Sequence, residues 1–261
     1  MTRREALLEG ARILAAERRP GTETPSLDAS LLLSFALGLT REALIASYPA
    51  PLDEDALADY RGLLGRRARG ESVAYILGRK EFWGRDFFVD SRVLVPRPDT
   101  ELLVETALML GDLASRETAR SPNGGAVRRD SVNERCIPAP GQIRVHEACT
   151  GSGCVAISVA AERPGWEVSA SDISGGALEV ASRNAAALLP PGRPGGALEL
   201  FKSDLLQAAG GPFDLILANP PYVPSAEASR LASDFSEPLL ALDGGEDGLE
   251  PYRRLVPEAA F

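Results

Sequence analysis

Ile143-Arg144-Val145-His146-Glu147-Ala148-Cys149-Thr150-Gly151-Ser152-Gly153 decides the fold of this 261-residue chain. A short β-compatible run, Ile143 to Ala148, enters a loop of small residues, and the loop enters an apolar stretch from Cys154 to Arg163 that Pro164 ends. The order strand, small-residue loop, helix then repeats. Trp166 to Ser171 reads as a second strand, followed by a helix around Ala177 to Leu188, and Leu198 to Phe201 and Phe213 to Ala218 read as a third and a fourth strand. Such alternation predicts an α/β fold, with a parallel sheet wound by right-handed crossovers. In such sheets ligands bind at the carboxyl ends of the strands.

Four groups of residues fall at those ends. Thr150-Gly151-Ser152-Gly153, with Glu147 and Cys149 just before, lets a backbone approach a ligand at a helix N-terminus with free N–H groups; alone it is equally the look of a plain strand-to-helix turn. Asp172 follows the second strand, where an acid accepts hydrogen bonds from both ribose hydroxyls of a nucleoside, or simply caps the next helix. Asp204-Leu205 follows the third strand, either as the edge of an adenine pocket or as a solvated loop acid. Asn219-Pro220-Pro221-Tyr222 directly follows the fourth strand and is the most specific signal of all. An Asn oxygen and a neighbouring backbone carbonyl offer two acceptors to a planar NH2 group. The prolines stiffen the loop and remove competing donors, and the Tyr222 ring is placed to lie against a flat amide or base.

The rest of the chain reads differently. Residues 1–75 form a helical N-terminal domain, with Ala6, Leu7, Ala11 and Leu14 at helical spacing, Pro20-Gly21 as a stop, and Ser26, Thr40 and Asp53 as the starts of three further helices. Residues 76–114 predict a hairpin turning at Gly84-Arg85, a short strand Val93-Leu94-Val95, an extended Pro96-Arg97-Pro98 and a linker helix from Asp99 or Thr100 with Glu101 in its first turn. Residues 115–142 are rich in Ser, Arg, Asn, Gly and Pro and read as a disordered insert. Residues 143–261 form the α/β domain.

Composition narrows the function. The chain carries 28 Lys and Arg, 37 Asp and Glu, and a formal charge of −9. Residues 143–261 hold 8 basic against 16 acidic side chains, which argues against direct nucleic-acid binding. No run reaches the ~18 apolar residues of a membrane span, and the first residues lack a signal-peptide core, so a cytoplasmic location is expected. Three cysteines without a C-x-x-C spacing, and a single histidine, His146, speak against a zinc ribbon, a multi-histidine metal site or a histidine-based triad. No metal is expected.

Asn219-Pro220-Pro221-Tyr222 resembles the signature of methyltransferases that act on planar amino groups using S-adenosylmethionine. With Gly78-Arg79-Lys80-Glu81-Phe82-Trp83-Gly84, with Val93-Leu94-Val95-Pro96-Arg97-Pro98-Asp99-Thr100-Glu101 and with the N-terminal helices, the chain resembles, over all but residues 115–142, the release factor glutamine methyltransferase family. That resemblance implies a Rossmann-like class I methyltransferase sheet behind a small helical domain that recognises the substrate. It implies S-adenosyl-L-methionine held by Glu147, Cys149, Thr150, Gly151, Ser152, Gly153, Asp172, Asp204, Leu205 and Asn219. It further implies Asn219, Pro220, Pro221 and Tyr222 as the substrate loop, with Asn219, Pro220 and Tyr222 catalytic, and peptide-chain release factors as substrates of a monomer. Two residues depart from the family's Asp-x-Gly-x-Gly-x-Gly pattern: Glu147 stands at its Asp and Cys149 at its first Gly. The family's sheet runs on for three more strands after the helix that begins near Pro251, so a sheet shortened after its fourth strand, with that strand an uncovered edge, is expected for a chain ending at Phe261. Competing readings are a DNA adenine methyltransferase using the same loop on a flipped base, a ribosomal-protein glutamine methyltransferase, and an inactive shortened homologue.

Overall fold

A computed structural model describes residues 1–17, 23–120 and 143–260. The N-terminal part packs α1 (Arg3–Glu17), α2 (Pro25–Ala36), α3 (Arg41–Ala46), α4 (Glu54–Ala68) and the short α5 (Val73–Leu77) around Leu14, Leu32, Leu33, Leu44, Tyr60 and Leu64. Thr40 and Asp53 cap α3 and α4, each side chain accepting a backbone N–H three residues on. The expected cap at Ser26 is corrected: Thr24 is the N-cap of α2. Pro25 takes the first helical position, where its fixed φ and missing N–H cost nothing, so the helix starts two residues earlier. The stop at Pro20-Gly21 lies outside the described residues. Arg67 and Asp28 form a buried ion pair at 2.8 Å between α4 and α2.

The hairpin joins β1 (Arg79–Phe82) to β2 (Arg85–Phe88), pairing Phe82 with Arg85. Its two loop residues are therefore Trp83 and Gly84, one position before the expected pair, with φ of 52° and 67°. Two successive positive values define the turn whose twist matches a two-residue hairpin. Glu101 accepts the Trp83 N–H at 2.9 Å, and Glu162 accepts from the Trp83 indole at 3.2 Å and from Arg85 at 2.9 Å. The expected strand at Val93-Leu94-Val95 is not one. The Val93 carbonyl accepts the Tyr75 hydroxyl, and Val93 and Val95 pack on Ala177 and Val180 of a helix, with no ladder beside them.

A 3-10 turn, Pro98–Thr100, leads into α6 (Glu101–Arg120). That helix runs through the first residues of the expected insert, because Ala, Glu and Arg there are helix formers and Ala114 packs on the core. Residues 121–142 of the insert lie outside the described residues.

The main sheet holds β3 (Arg144–Ala148), β4 (Glu167–Asp172), β5 (Glu199–Lys202) and β6 (Leu215–Ala218), all parallel, in the order β5-β4-β3-β6. Helix α6, α7 (Cys154–Glu162) and α8 (Gly175–Leu188) lie along one face, over Val145, Val168 and Ala170. The alternate residues His146, Ser169 and Ser171 point to the other face, an unusually polar set for a parallel strand. Among the described residues β6 pairs only with β3. Helices α9 (Ser225–Phe235) and α10 (Glu250–Ala259) follow, with a strap between them.

Candidate active site

Register brings the four sequence signals together. Ala148 pairs with Ser171 on one side and with Ala218 on the other, so Cys149, Asp172 and Asn219 leave the sheet at the same level. Ser203 follows Lys202, the partner of Asp172. Above these ends lies a cavity of about 410 Å³, lined by Glu147, Cys149 to Ser152, Asp172, Asp204, Leu205, Asn219 and Pro221. Small-molecule pockets span roughly 300–1,000 Å³.

The loop after β3 is built by hydrogen bonds to carboxylates. Thr150 Oγ1 and the Ala156 N–H both donate to Glu147 Oε2, at 2.5 and 3.0 Å. The Gly151 N–H donates to Asp172 Oδ2 at 2.8 Å, and the Ser174 N–H to Asp172 Oδ1 at 2.9 Å. Capping of α8 falls to Ser174, whose hydroxyl accepts the Ala177 N–H. Each Asp172 oxygen thus keeps further acceptor capacity. Burial pushes Glu147 up to about 8, ahead of the opposing hydrogen bonds from Thr150 and Ala156, and burial likewise raises Asp172. Neither forms an ion pair among the described residues. The cavity therefore presents the Asp172 carboxylate with acceptor capacity to spare, beside a buried Glu147 and with Arg92, Arg97 and Arg254 also on its lining, which suits a ligand carrying hydroxyl donors.

Cys149 sits at φ 59°, in the left-handed region where its side chain costs on the order of 1–2 kcal/mol. Its half-buried side chain packs toward Ala148, Leu205 and Leu255, and burial pushes the thiol up to about 12. Gly153, the N-cap of α7 at φ 80°, does not line the cavity; a Cβ there would lie 2.8 Å from Ile157 and 3.2 Å from Ala181, so it lets α7 and α8 approach. Asn184 of α8 then donates to the carbonyls of Ser152 and Phe88, joining the loop to the hairpin.

At the far end, Asp204 is bonded by Arg254 at 2.6 Å, and Leu205 is buried at φ 50°. Asn219 is half-buried, and its side chain has no hydrogen-bond partner among the described residues. Pro220 is buried and Tyr222 is 56% exposed, and neither of these two lines the cavity, whereas Asn219 and Pro221 do.

Two supports of this site escaped the sequence reading. The strap Glu237–Leu249 holds the Asn219–Tyr222 loop: Val223 N–H donates to Leu242 O at 2.9 Å, Gly244 N–H to Val223 O at 2.8 Å, and Ser225 to Gly245 O and Asp243 at 2.9 and 2.6 Å. Gly248 lies so close that a Cβ would stand 2.3 Å from the Tyr222 carbonyl. Helix α10 is the second support, with Arg254 on Asp204, Glu258 accepting the Leu206 N–H at 3.0 Å, and Leu255 packed on Ala148 and Leu205. The glycines at 244, 245 and 248 were the available signal for the strap. Among the described residues no group of His, Cys, Asp and Glu could hold a metal ion, and no helix is long and apolar enough to cross a membrane.

Two family models match the chain: the PrmC N-terminal domain over residues 5–78 and the methyltransferase small domain over residues 135–237. The release factor glutamine methyltransferase of Geobacter sulfurreducens is 39% identical over 256 residues, covering 97% of this chain and 78% of that protein. Those of Burkholderia pseudomallei and Moorella thermoacetica are each 39% identical, covering 94% and 100% of this chain and 78% and 81% of the relatives. A parallel sheet with its ligand-sized cavity at the carboxyl edge, carrying a matched methyltransferase domain, makes this an S-adenosylmethionine-dependent methyltransferase. The helical domain in front of it and the identity across nearly the whole chain narrow the class. The chain belongs to the release factor glutamine methyltransferase family.

Proposed function

We propose that this chain, as a cytoplasmic monomer, transfers the methyl group of S-adenosylmethionine to the side-chain amide nitrogen of the glutamine in the Gly-Gly-Gln loop of peptide-chain release factors. The observation that carries the reading is Asn219: an amide at the cavity wall whose side chain has no hydrogen-bond partner among the described residues, on a loop braced by the strap.

The bound cofactor supplies a methyl group already activated on a positive sulfur. Glu147 and the loop Cys149 to Ser152 would hold its methionine part, Asp172 would accept from its ribose hydroxyls, and Asp204 and Leu205 would border its adenine, while Gly153 serves the packing of α7 on α8. The difficulty lies with the acceptor, since an amide nitrogen shares its lone pair with its carbonyl. The Asn219 side-chain oxygen and the Pro220 carbonyl accept the two N–H bonds of the glutamine amide. That arrangement favours a more tetrahedral nitrogen in the transition state and aligns it with the methyl group, which is chiefly catalysis by orientation. Pro221 and Tyr222 flank the amide plane. The cofactor would supply the methyl group from its positive sulfur to the amide nitrogen, its C–S bond giving way to the new N–C bond, and the nitrogen's proton would leave to solvent. No metal and no general base are required.

The test presents isotopically labelled cofactor with a release factor, with a glutamine-bearing ribosomal protein, and with a DNA duplex containing adenine. Label in the release factor at its Gly-Gly-Gln glutamine is expected. Label in the ribosomal protein or the DNA alone would overturn the substrate assignment.

A further inference from the structure

His146 is the only histidine of the chain and takes no part in the scheme above. It is fully buried on β3, next to Glu147 but facing the opposite side of the sheet, and its ring stacks on Phe201 and Phe213 with centroids 5.5 and 5.0 Å away. Burial pushes it down to about 4, so near pH 7 the ring is neutral, with one N–H and one bare nitrogen.

Both nitrogens are engaged. Nδ1 lies 2.9 Å from Ser169 Oγ and Nε2 lies 3.0 Å from Ser171 Oγ. Each hydroxyl also has a carbonyl within reach at 3.4 Å: Val145 for Ser169 and Leu205 for Ser171. A hydroxyl has one proton to give, so the tautomer decides where both go. With the proton on Nε2, the ring donates to Ser171, Ser171 donates to the Leu205 carbonyl, and Ser169 donates to the bare Nδ1. With the proton on Nδ1, the ring donates to Ser169, Ser169 donates to Val145, and Ser171 must donate to Nε2. Leu205 then loses its hydroxyl donor.

Leu205 is the residue of this network that reaches the cavity. It is held in the left-handed region at φ 50°, a conformation that its surroundings must maintain. Ser171 stands among the cavity loops: its carbonyl accepts the Thr150 N–H at 3.0 Å, and its chain neighbour is Asp172.

We propose that His146 and Ser171 are a positioning pair, in which the Nε2–H tautomer of His146 turns the Ser171 hydroxyl onto the Leu205 carbonyl and so sets the adenine end of the cofactor site. The inference deepens the proposed function and rests on its placement of adenine at Leu205. A ligand that fixes the Leu205 peptide draws the ring toward the Nε2–H form, whereas Ser169 bonds the same ring on the side away from the ligand.

A chain labelled with 15N-histidine gives the signals of a single imidazole, and their shifts separate protonated from bare nitrogens. Adding S-adenosylhomocysteine is expected to raise the Nε2–H population. In calorimetry, Ser171→Ala is expected to weaken S-adenosylhomocysteine about threefold to tenfold, the range of one neutral hydrogen bond, while Ser169→Ala stays within about twofold of the parent on the same scale. An unchanged tautomer on binding, or equal losses from the two serine variants, would overturn the pair while leaving the cofactor site intact. If the unaltered chain binds no S-adenosylhomocysteine, the cofactor placement fails and the pair fails with it.

Discussion

The Gly151 N–H donates to the Asp172 carboxylate at 2.8 Å, and the loops after β3 and β4 are thereby one unit. The carboxylate that would receive the ribose also shapes the loop that would receive the methionine part.

Asp172→Ala removes both effects. Hydrogen bonds to a charged group contribute roughly 1.5–3 kcal/mol, so S-adenosylhomocysteine affinity is expected to fall by about 10- to 100-fold. Asp172→Asn retains one acceptor for Gly151 and is expected to fall between the two. Calorimetric affinity within twofold of the parent for Asp172→Ala would remove this residue from the site.

Asn219→Ala separates turnover from binding. In the proposed scheme the cofactor would take its contacts from the β3, β4 and β5 loops, whereas the amide would depend on Asn219 and Pro220. Loss of a preorganised acceptor costs on the order of 100-fold or more in rate, with cofactor affinity expected to change only severalfold. Single-turnover methyl transfer to a release factor, beside calorimetry on the same sample, reads both.

Gly248→Ala tests the strap. The added Cβ would meet the Tyr222 carbonyl at 2.3 Å and would sit at φ 77°. Overpacking of this kind costs about 1–3 kcal/mol, and the displaced neighbour is the backbone of the Asn219–Tyr222 loop. Methyl transfer is expected to drop more than thermal stability. The comparison is Gly10→Ala, whose Cβ would meet Tyr60 in the N-terminal domain, far along the chain from the cavity loops; it is expected to lower stability while sparing cofactor affinity. Equal losses of turnover from both variants would mean the strap has no specific bearing on the loop.

Glu147 and His146 make opposed contributions to stability against pH. Glu147 is raised by burial to about 8, so above the ordinary carboxylate range the folded chain holds a proton that the unfolded chain has lost, and stability falls as pH rises toward about 8. His146 is lowered by burial to about 4, so below the ordinary imidazole value of about 6.5 the unfolded chain gains a proton first, and stability falls as pH drops toward about 4. Between roughly 4.5 and 6.5 the two oppose each other, and from roughly 6.5 to 8 Glu147 acts without that opposition. Urea midpoints are expected to decline between pH 6.5 and 8 in the parent and to flatten there in Glu147→Gln. Parallel declines in both proteins would assign the slope to another group.

The parts of the site that were legible in sequence are those built from neighbours in the chain. Four short strand-compatible runs, each followed by small or acidic residues, mark β3 to β6 and their loops, even though β3 and β4 carry His146, Ser169 and Ser171 where a parallel strand is usually apolar. The parts that were not legible depend on partners far along the chain. Glu237 is almost wholly buried and takes both its oxygens to Arg97 at 2.7 Å, across 140 positions, yet Glu237 alone looks like a loop acid. Arg254 and Glu258 meet the β5 loop across about 50 positions, a pairing that no local pattern encodes. Val93 and Val95 show the converse. Their composition suits a strand, but a buried helix face takes their side chains and no neighbouring strand takes their backbone.

The cover of the cavity is the last described part of the chain, and this orders events during synthesis. Domains emerge and fold N-terminal end first, at about 5–20 residues per second. The scaffold formed by Glu147, Thr150, Gly151 and Asp172 has all its partners once β4 and the first turn of α8 have left the ribosome. The brace on Val223 and Ser225 waits for residues 242–245, and the contacts of Arg254 and Glu258 wait longer still. A nascent chain therefore passes through a stage, lasting on the order of seconds at that rate, in which the cavity stands open and the Asn219–Tyr222 loop is unbraced.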